Sequence, residues 1–389
     1  MILTGLEAEG FRNLDGVDFR PGPGVNIICG DNAQGKTNLM EALWLFTGAK
    51  SFRGAKDAEL VAFGRERAVL RASFFGGGRE QEAEISFSPQ KAMKKNGIPV
   101  TRPADWFGTM GGVVFSPLQM SLFKDGPKER RRLMDTSLCQ LSPKFTRALA
   151  DYGRVLIQRG SLLRDMYEHP QLSEMLDVFD GQLASLGGYV VRTRVRYAAA
   201  LAEKAEEVYA GISGGREKFG ARYCCSFLPE GETPQRDMSA AGWAELFLTE
   251  LREHRDRDVR LASTGTGPHR DDLDVTLDGE PVRAYGSQGQ QRSCILSIKL
   301  AEAAMLRDTL GEAPLVLLDD VMSELDDSRR RYILNSIGES QIFLTCCDAA
   351  LFSGLRDGRV FRMEDGRLTE SGFSTVLKGD VESGAPLSC

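Results

Sequence analysis

The stretch Val25-Asn26-Ile27-Ile28-Cys29-Gly30-Asp31-Asn32-Ala33-Gln34-Gly35-Lys36-Thr37-Asn38-Leu39-Met40-Glu41-Ala42-Leu43-Trp44-Leu45-Phe46 decides the fold. Val25 to Ile28 is an apolar, β-branched run of the kind found in a buried parallel strand. Leu39 to Leu43 are good helix formers, free of Gly and Pro. Between them, Gly30-x-x-x-x-Gly35-Lys36-Thr37 has the spacing of a phosphate-binding loop. Its glycines let successive backbone N–H groups, from Gly30 through Asp31, Asn32, Ala33 and Gln34 to Gly35, turn inward around an anion. The following helix adds its positive N-terminal end. In such a loop Lys36 reaches the β- and γ-phosphates as a point charge, and the Thr37 hydroxyl ligates Mg2+. Eight-residue matches arise by chance, but strand, loop and helix here fall in the required order. The stretch predicts a nucleoside-triphosphate site.

A matching half lies far downstream. Ala313-Pro314-Leu315-Val316-Leu317-Leu318-Asp319-Asp320 is an apolar strand ending in two carboxylates. An acidic residue at the tip of a neighbouring strand helps hold Mg2+ in phosphate-loop NTPases, and Asp319 fits. Asp320 is placed to orient or deprotonate an attacking water. Ser287-Gln288-Gly289-Gln290-Gln291-Arg292 precedes a helical pattern over Ile295 to Arg307. Hydroxyl, glycine and amide groups at a helix start make a second anion-recognising surface. The two phosphate-recognising stretches either fold together or meet only across a dimer.

Working outward, Ile2 to Glu9, Val17 to Phe19 and Val25 to Ile28 read as strands separated by Gly16 and Pro21-Gly22-Pro23-Gly24. Residues 67–76 and 82–88 alternate across Gly76-Gly77-Gly78 as a hairpin. Gly111 to Phe115 is a short buried strand stopped at Pro117. From Pro127 to Ala210 the texture is helical. Leu149, Tyr152, Leu156, Arg159, Leu163 and Met166 follow coiled-coil spacing, broken at His169-Pro170, and the seam resumes at Leu172, Leu176, Phe179, Leu183, Leu186 and Val190. An antiparallel helical arm and the helices of one larger core both fit this spacing. A helix over Ala241 to His254 closes the region. Strands follow at Asp274 to Leu277, Pro314 to Leu318 and Gln341 to Thr345. The expected organisation is an α/β ATPase head in two parts (1–124 and 261–375), an inserted helical arm domain (125–260) and a flexible tail (376–389).

At 389 residues, with 42% hydrophobic and 27% charged residues, the chain is long enough for more than one compact unit. No stretch is apolar enough to span a bilayer, and Met1-Ile2-Leu3-Thr4 opens directly into a strand pattern, so no membrane association and a cytoplasmic location are expected. The eight cysteines include no C-x-x-C pair, which speaks for a reduced protein without a zinc site. A net charge of −6 argues against a uniformly basic nucleic-acid coat. Local basic clusters remain: Lys124, Lys128 and Arg130-Arg131-Arg132; Arg192, Arg194 and Arg196; Lys91, Lys94 and Lys95; and Arg252, Arg255, Arg257 and Arg260. Lys124, Arg130, Arg131 and Arg132 are the candidates for DNA contact.

Phosphate loop, Ser-x-Gly-Gln stretch, Leu317-Leu318-Asp319-Asp320 and Ser323-Glu324-Leu325-Asp326 follow the motif order of the ATP-binding-cassette ATPases. The details resemble more specifically the RecF family, repair ATPases related to SMC-type heads. The matching stretches include Phe11-Arg12-Asn13-Leu14, Lys50-Ser51-Phe52-Arg53, Phe115-Ser116-Pro117, Gly126-Pro127-x-x-Arg130-Arg131 and Gly267-Pro268-His269-Arg270-Asp271-Asp272. The resemblance runs from residue 3 to about residue 350. It implies a Rossmann-like sheet with a β subdomain, ATP and Mg2+ as ligands, Arg12 beside the nucleotide, and a D-loop at Ser323 and Asp326. It further implies an ATP-dependent homodimer in which Ser287, Gln288, Gly289 and Gln290 of one subunit complete the Lys36 and Thr37 site of the other. The closed dimer would bind double-stranded DNA near gaps or single-strand/double-strand junctions, in the cytoplasm and on the nucleoid, and assist recombinase loading with RecO- and RecR-type proteins. Two departures stand out. Asp320 replaces the glutamate of the general cassette family, which suggests slow, weak ATPase turnover. Thr345-Cys346-Cys347 stands where cassette ATPases carry a histidine, so the resemblance does not identify the γ-phosphate sensor. A membrane-transport ATPase subunit would require a Leu-Ser-Gly-Gly-Gln signature, and an overcome-lysogenization-type nuclease would need an acidic domain larger than residues 351–389.

Overall fold

The computed structural model describes residues 1–88, 90–119, 122–166, 168–229, 231–347 and 358–373. The expected tail over 376–389 lies outside them.

The strand that feeds the phosphate loop, β3 (Val25–Cys29), lies inside a six-stranded sheet. On one side it pairs in parallel with β13 (Ile342–Cys346), followed by β12 (Leu315–Leu318) and β8 (Gly112–Phe115), also parallel. On the other side it pairs in parallel with β14 (Gly358–Glu364), and β15 (Arg367–Phe373) closes the edge antiparallel. Strands β8, β12 and β13 are buried along their whole length, which accounts for their largely apolar sequences, Thr345 being the exception. Register decides what this sheet does. Cys29 lies opposite Cys346, and Leu318 lies opposite both Leu344 and Phe115. The segments that leave β3, β12 and β13 therefore emerge along one carboxyl edge, the place where open α/β sheets bind ligands.

A second, antiparallel sheet holds β1 (Ile2–Glu9), β2 (Val17–Phe19), β4 (Ala68–Gly76), β5 (Arg79–Ser88), β6 (Gln90–Lys95) and β7 (Ile98–Pro99) in the order β2-β1-β4-β5-β6-β7. The β4–β5 turn is Gly77-Gly78, both with positive φ (59° and 74°), the backbone a two-residue hairpin favours. Helix α1 (Lys36–Leu45) is sandwiched between the two sheets, and Leu39, Met40, Ala42, Leu43 and Leu45 share one core with Leu6, Phe74 and Phe343. Its burial on all sides explains why it shows no amphipathic stripe. The short helix α2 (Pro103–Trp106) lays Trp106 against Phe46.

The helical segment comprises α3 (Pro127–Leu141), α4 (Pro143–Asp165), α5 (Leu176–Ser213), α6 (Ala240–Glu253) and α7 (Arg255–Leu261), with a small sheet of β9 (Phe219–Cys224), β10 (Asp272–Leu277) and β11 (Glu280–Pro281). Both sequence readings of this region find a counterpart. At the distal end of the helix pair, Leu162, Leu163, Met166 and Leu176 form a core of their own. Along the rest of its 38 residues α5 joins a larger core in which Tyr152, Leu183, Leu201, Phe219 and Phe247 meet Ile295 and Ile298. The seam residue Arg159 is no apolar knob. It is fully buried and ion-paired to Asp180 and Asp258.

After α8 (Val282–Tyr285), helix α9 runs from Gln288 to Leu310, two turns earlier than hydrophobic periodicity indicates. Ser287 and Gln290 form a reciprocal capping box that fixes this start. Gln288, Gly289 and Gln290 thus belong to the first helical turn and do not precede the helix. Helix α10 (Asp327–Ile337) follows β12. Among the described residues no helix is long and apolar enough to cross a membrane.

Candidate nucleotide site and its surroundings

Two glycines shape the loop between β3 and α1. Gly30 has φ 155°, and a Cβ there would stand 2.3 Å from the Met363 carbonyl of β14. Gly35 has φ 117°, and a Cβ there would stand 2.8 Å from Asn13 Oδ1. Gly30 is demanded by backbone packing as well as by conformation, and Gly35 chiefly by its positive φ, with the Asn13 and Leu14 side chains crowding it. Ala33 also takes a positive φ (66°). Lys36 is buried, and its Nζ donates to the carbonyls of Gly30 (2.6 Å) and Asp31 (2.9 Å), with Cys347 Sγ at 3.9 Å. The ammonium is therefore held inside the arch of the loop.

The remaining contacts come from segments distant in sequence. The Thr37 hydroxyl donates to Asp319 Oδ1 at 3.0 Å, across 282 residues of chain. Thr345 on β13 donates to the same oxygen at 3.0 Å, and its Oγ1 accepts the Asp320 N–H at 2.9 Å. Asp320 itself adopts a left-handed backbone (φ 55°). Burial pushes the Asp319 carboxyl up, the hydroxyls of Thr345 and Thr37 oppose that rise, and the neighbouring Asp320 charge adds to it. A hydroxyl and a carboxylate held this close are hard oxygen donors of the type that suits Mg2+.

The β14–β15 turn forms a wall of the loop. Asp365 N–H donates to Gln34 Oε1 (2.6 Å) and Gly366 N–H to the Gln34 carbonyl (2.9 Å). Asn13 Nδ2 donates to that same carbonyl at 3.1 Å. A cavity of 420 Å³ lined by Cys29, Gly30, Asp31, Gln34, Cys347 and Arg362 opens beside it. Sequence reasoning did not find this hairpin. Its strands mix polar and apolar residues without regular alternation, and the residues β14 buries fully in the core beside α1 are Phe361 and Met363.

Arg12 is tied down close by. Its Nε and Nη2 bind the Glu41 carboxylate of α1 (2.9 and 3.1 Å), and Nη1 donates to the Glu59 carbonyl at 3.0 Å. Glu41 is fully buried and also accepts from the Ser51 hydroxyl. It joins the Phe11-Arg12-Asn13-Leu14 and Lys50-Ser51-Phe52-Arg53 stretches to the helix that carries Lys36. The only sequence signal for Glu41 was a carboxylate within an otherwise apolar helix.

Ser287 and Gln288 are exposed at the start of α9, and Gln290 Nε2 donates to Glu217 Oε1 at 2.5 Å. Glu217 in turn accepts from the Tyr209 hydroxyl of α5 at 2.6 Å. Leu310, at the other end of α9, packs over Gly111 just before β8 begins, so α9 runs against the strand direction. Its start points toward the edge that carries Lys36 and Asp319. Of the two residues expected in a D-loop, Ser323 donates to the Asp320 carbonyl at 3.1 Å, and Asp326 caps α10 by accepting from Arg329 N–H at 2.9 Å.

The candidate DNA cluster requires correction. Arg130 is 3% exposed, pairs with Asp272 through two nitrogens (2.7 and 2.9 Å) and donates to the Leu122 and Asp125 carbonyls. Its guanidinium is fully engaged inside the protein and offers nothing to a phosphate backbone. Arg131 is half-buried and donates to the Asp271 carbonyl at 2.5 Å, and Arg132 donates to the Ser51 carbonyl at 2.5 Å. Lys124 is exposed. The Gly267 to Asp272 stretch is the hub that receives this cluster: Arg194, itself paired with Asp135, donates to the Pro268 carbonyl at 2.6 Å. Burial holds His269 near a pKa of about 4, so the ring is neutral and bonded to Tyr152 and Thr264.

This arrangement defines a phosphate-loop ATPase head of the ABC and SMC type, with a helical insertion and an antiparallel β lobe. Comparison with known proteins gives the same class and narrows it. A family model described as an AAA domain matches residues 6–109. The DNA replication and repair protein RecF of Agathobacter rectalis is 38% identical over 348 residues, 89% of this chain and 92% of the relative. Its counterpart in Heliobacterium modesticaldum is 39% identical over 378 residues, 95% of this chain and 100% of the relative. The chain belongs to the RecF family. A solved structure of the recombination mediator protein RecF with ATP in the RecFOR pathway superposes with a TM-score of 0.87 at 32% identity, covering 95% of this chain and 98% of that one. The Smc head domain of Pyrococcus furiosus, at 17% identity and a TM-score of 0.53, shares the fold.

Proposed function

We propose that this chain is an ATP-dependent DNA-binding protein of recombinational repair and replication-fork recovery. ATP with Mg2+ closes a homodimer on duplex DNA near single-strand gaps, RecO- and RecR-type partners then promote recombinase loading, and slow, DNA-stimulated hydrolysis releases the clamp. The protein works in the cytoplasm, on the nucleoid. The observation that carries this reading is the meeting of Thr37 with Asp319 at 3.0 Å beside a buried Lys36. Lys36 and the loop amides would bind the β- and γ-phosphates, Thr37 and Asp319 would hold the cation, and Asp320 would orient the attacking water. The cation neutralises charge developing on the phosphates. Arg12, fixed by Glu41, flanks the nucleotide.

Dimerisation rests on α9. At about 1.5 Å per residue its 23 residues extend roughly 34 Å, far beyond the four- and five-residue strands beneath it. The exposed start at Ser287 therefore reaches past its own sheet edge, toward the γ-phosphate held by a second subunit. Such an interface is isologous, and each dimer closes two sites. Lys124 and the outer parts of Arg131 and Arg132 are the cluster members open to DNA; Arg130 is not.

Sedimentation with ATP and with ADP tests the mechanism. ATP converts monomer to dimer, ADP does not, and Ser287→Arg with ATP stays monomeric while keeping the wild-type nucleotide affinity. DNA affinity falls with the dimer, and its salt dependence becomes shallower because fewer phosphates are contacted. A wild type that remains monomeric at saturating ATP, or a Ser287→Arg protein that dimerises normally, removes the clamp and leaves an ATP-binding head.

A further inference from the structure

Thr345 lies on the central strand β13, 1% exposed, between the strand that feeds the phosphate loop and the strand that ends in Asp319-Asp320. A threonine hydroxyl has one proton to give and two lone pairs to receive. Here the proton goes to Asp319 Oδ1 (3.0 Å) and a lone pair takes the Asp320 N–H (2.9 Å). One side chain thus fixes both consecutive acidic residues. It turns the Asp319 carboxylate so that Oδ1 also receives the Thr37 hydroxyl (3.0 Å). It also satisfies the amide of a residue held at φ 55°, a conformation a non-glycine residue keeps only where its surroundings impose it.

We propose that Thr345 is a positioning residue of the nucleotide site, acting through Asp319 and the Asp320 backbone and without touching the phosphates itself. The inference rests on the reading of Thr37 and Asp319 as the cation-holding pair. A valine at 345 has the shape of threonine, so the strand still packs, but Asp319 loses a donor and the Asp320 amide loses its acceptor. The Asp319 carboxylate is then free to rotate off Thr37, and the Asp320 backbone to relax from the left-handed region. Two separable effects follow: weaker use of the cation, because its ligand is no longer oriented, and slower turnover, because Asp320 is displaced.

The test measures binding of a fluorescent non-hydrolysable ATP analogue across a Mg2+ titration, with steady-state ATPase rates and thermal stability alongside, for wild type, Thr345→Val and Thr345→Ser. Loss of an outer-shell partner typically costs about 10- to 100-fold in metal affinity or activity. The Mg2+ concentration for half-maximal analogue binding in Thr345→Val should rise by about that factor, and kcat should fall by a similar one. Analogue affinity without Mg2+ and the melting temperature should stay near wild type, and Thr345→Ser should restore both the Mg2+ requirement and kcat. If Thr345→Val does not fold, Thr345→Ala and Thr345→Ser make the same comparison, since both lose the methyl and differ in the hydroxyl. A Thr345→Val protein with wild-type Mg2+ dependence and kcat overturns the inference alone. A wild type whose analogue binding ignores Mg2+ overturns the cation-holding reading beneath it.

Discussion

Replacing Arg159 with leucine puts the energetics of the helical segment to a quantitative test. Arg159 Nε donates to Asp180 Oδ1 (2.7 Å), and Nη1 donates to Asp258 Oδ2 (2.7 Å) and to the Thr264 hydroxyl (2.8 Å). Arginine and both carboxylates are fully buried, so the guanidinium is the cross-link among α4, α5 and α7. Asp180 has a second cation in Arg255 (2.8 Å), whereas among the described residues Asp258 would retain the Gly265 N–H (2.9 Å) and no other side-chain partner. The substitution therefore strands one buried charge and leaves a second partly paired. Breaking a buried ion pair from one side costs about 3–5 kcal/mol, because the remaining charge stays desolvated. The added leucine carbons do not offset this, since the carboxylates remain beneath them. Denaturant unfolding of wild type, Arg159→Leu and the double variant Arg159→Leu/Asp258→Asn measures it. The single variant should lose a few kcal/mol, and the double variant should regain part of that loss, since a neutral amide is cheaper to bury. A single variant within about 1 kcal/mol of wild type, or a double variant less stable than the single, refutes the assignment of Arg159 as an electrostatic hub.

Two further outcomes concern the nucleotide site. Lys36→Ala should weaken ATP binding by about 100-fold or more in a calorimetric titration, because each charge-assisted hydrogen bond to phosphate contributes roughly 1.5–3 kcal/mol; Lys36→Arg should bind and turn over poorly, since a planar fork does not reproduce a point charge. Equal affinities for wild type and Lys36→Ala would withdraw the phosphate-loop assignment. Asp320→Asn should keep ATP bound while turnover drops by about 100-fold or more, the usual loss with a positioned base, and sedimentation should show an ATP-locked dimer. Unchanged turnover would move the base to another group.

Motifs whose chemistry is local were legible in the chain. The phosphate loop announces itself through glycines that are needed for backbone reasons, and the structure gives each of them a close neighbour: Met363 against Gly30 and Asn13 against Gly35. The buried strands Leu315–Leu318 and Ile342–Cys346 were nearly as plain, since parallel strands covered on both faces are mostly apolar; Thr345 is the one hydroxyl in these two. Groups whose role depends on a distant partner were not legible. Arg130 reads as a member of a basic run, and only the fold shows that Asp272, 142 residues later, neutralises it. Glu41 reads as one ordinary residue of a helix until Arg12 and Ser51 arrive at its carboxylate. The strands β6, β14 and β15 escaped because their apolar residues are few or irregularly spaced, so the period-2 signal is weak; β6 buries no residue fully, and β15 lies at the sheet edge.

The same distinction bears on how the site comes into being. Thr37 and Asp319 are 282 residues apart and Thr345 is 26 residues beyond Asp319, yet one carboxylate oxygen takes hydrogen bonds from both hydroxyls. Closing loops of that length is entropically costly before any contact forms. The cost is met by the parallel sheet: Leu318 opposite Leu344, and Cys346 opposite Cys29, bring the three strand ends level, and the apolar strand interiors provide the driving force. Every polar group at the edge is then positioned by strand register. A one-residue slip of β13 would turn Thr345 to the other face of the sheet and put an apolar or thiol side chain beside Asp319. The geometry of this edge is thus as unique as the register, and the register is held by the buried faces of β8, β12 and β13.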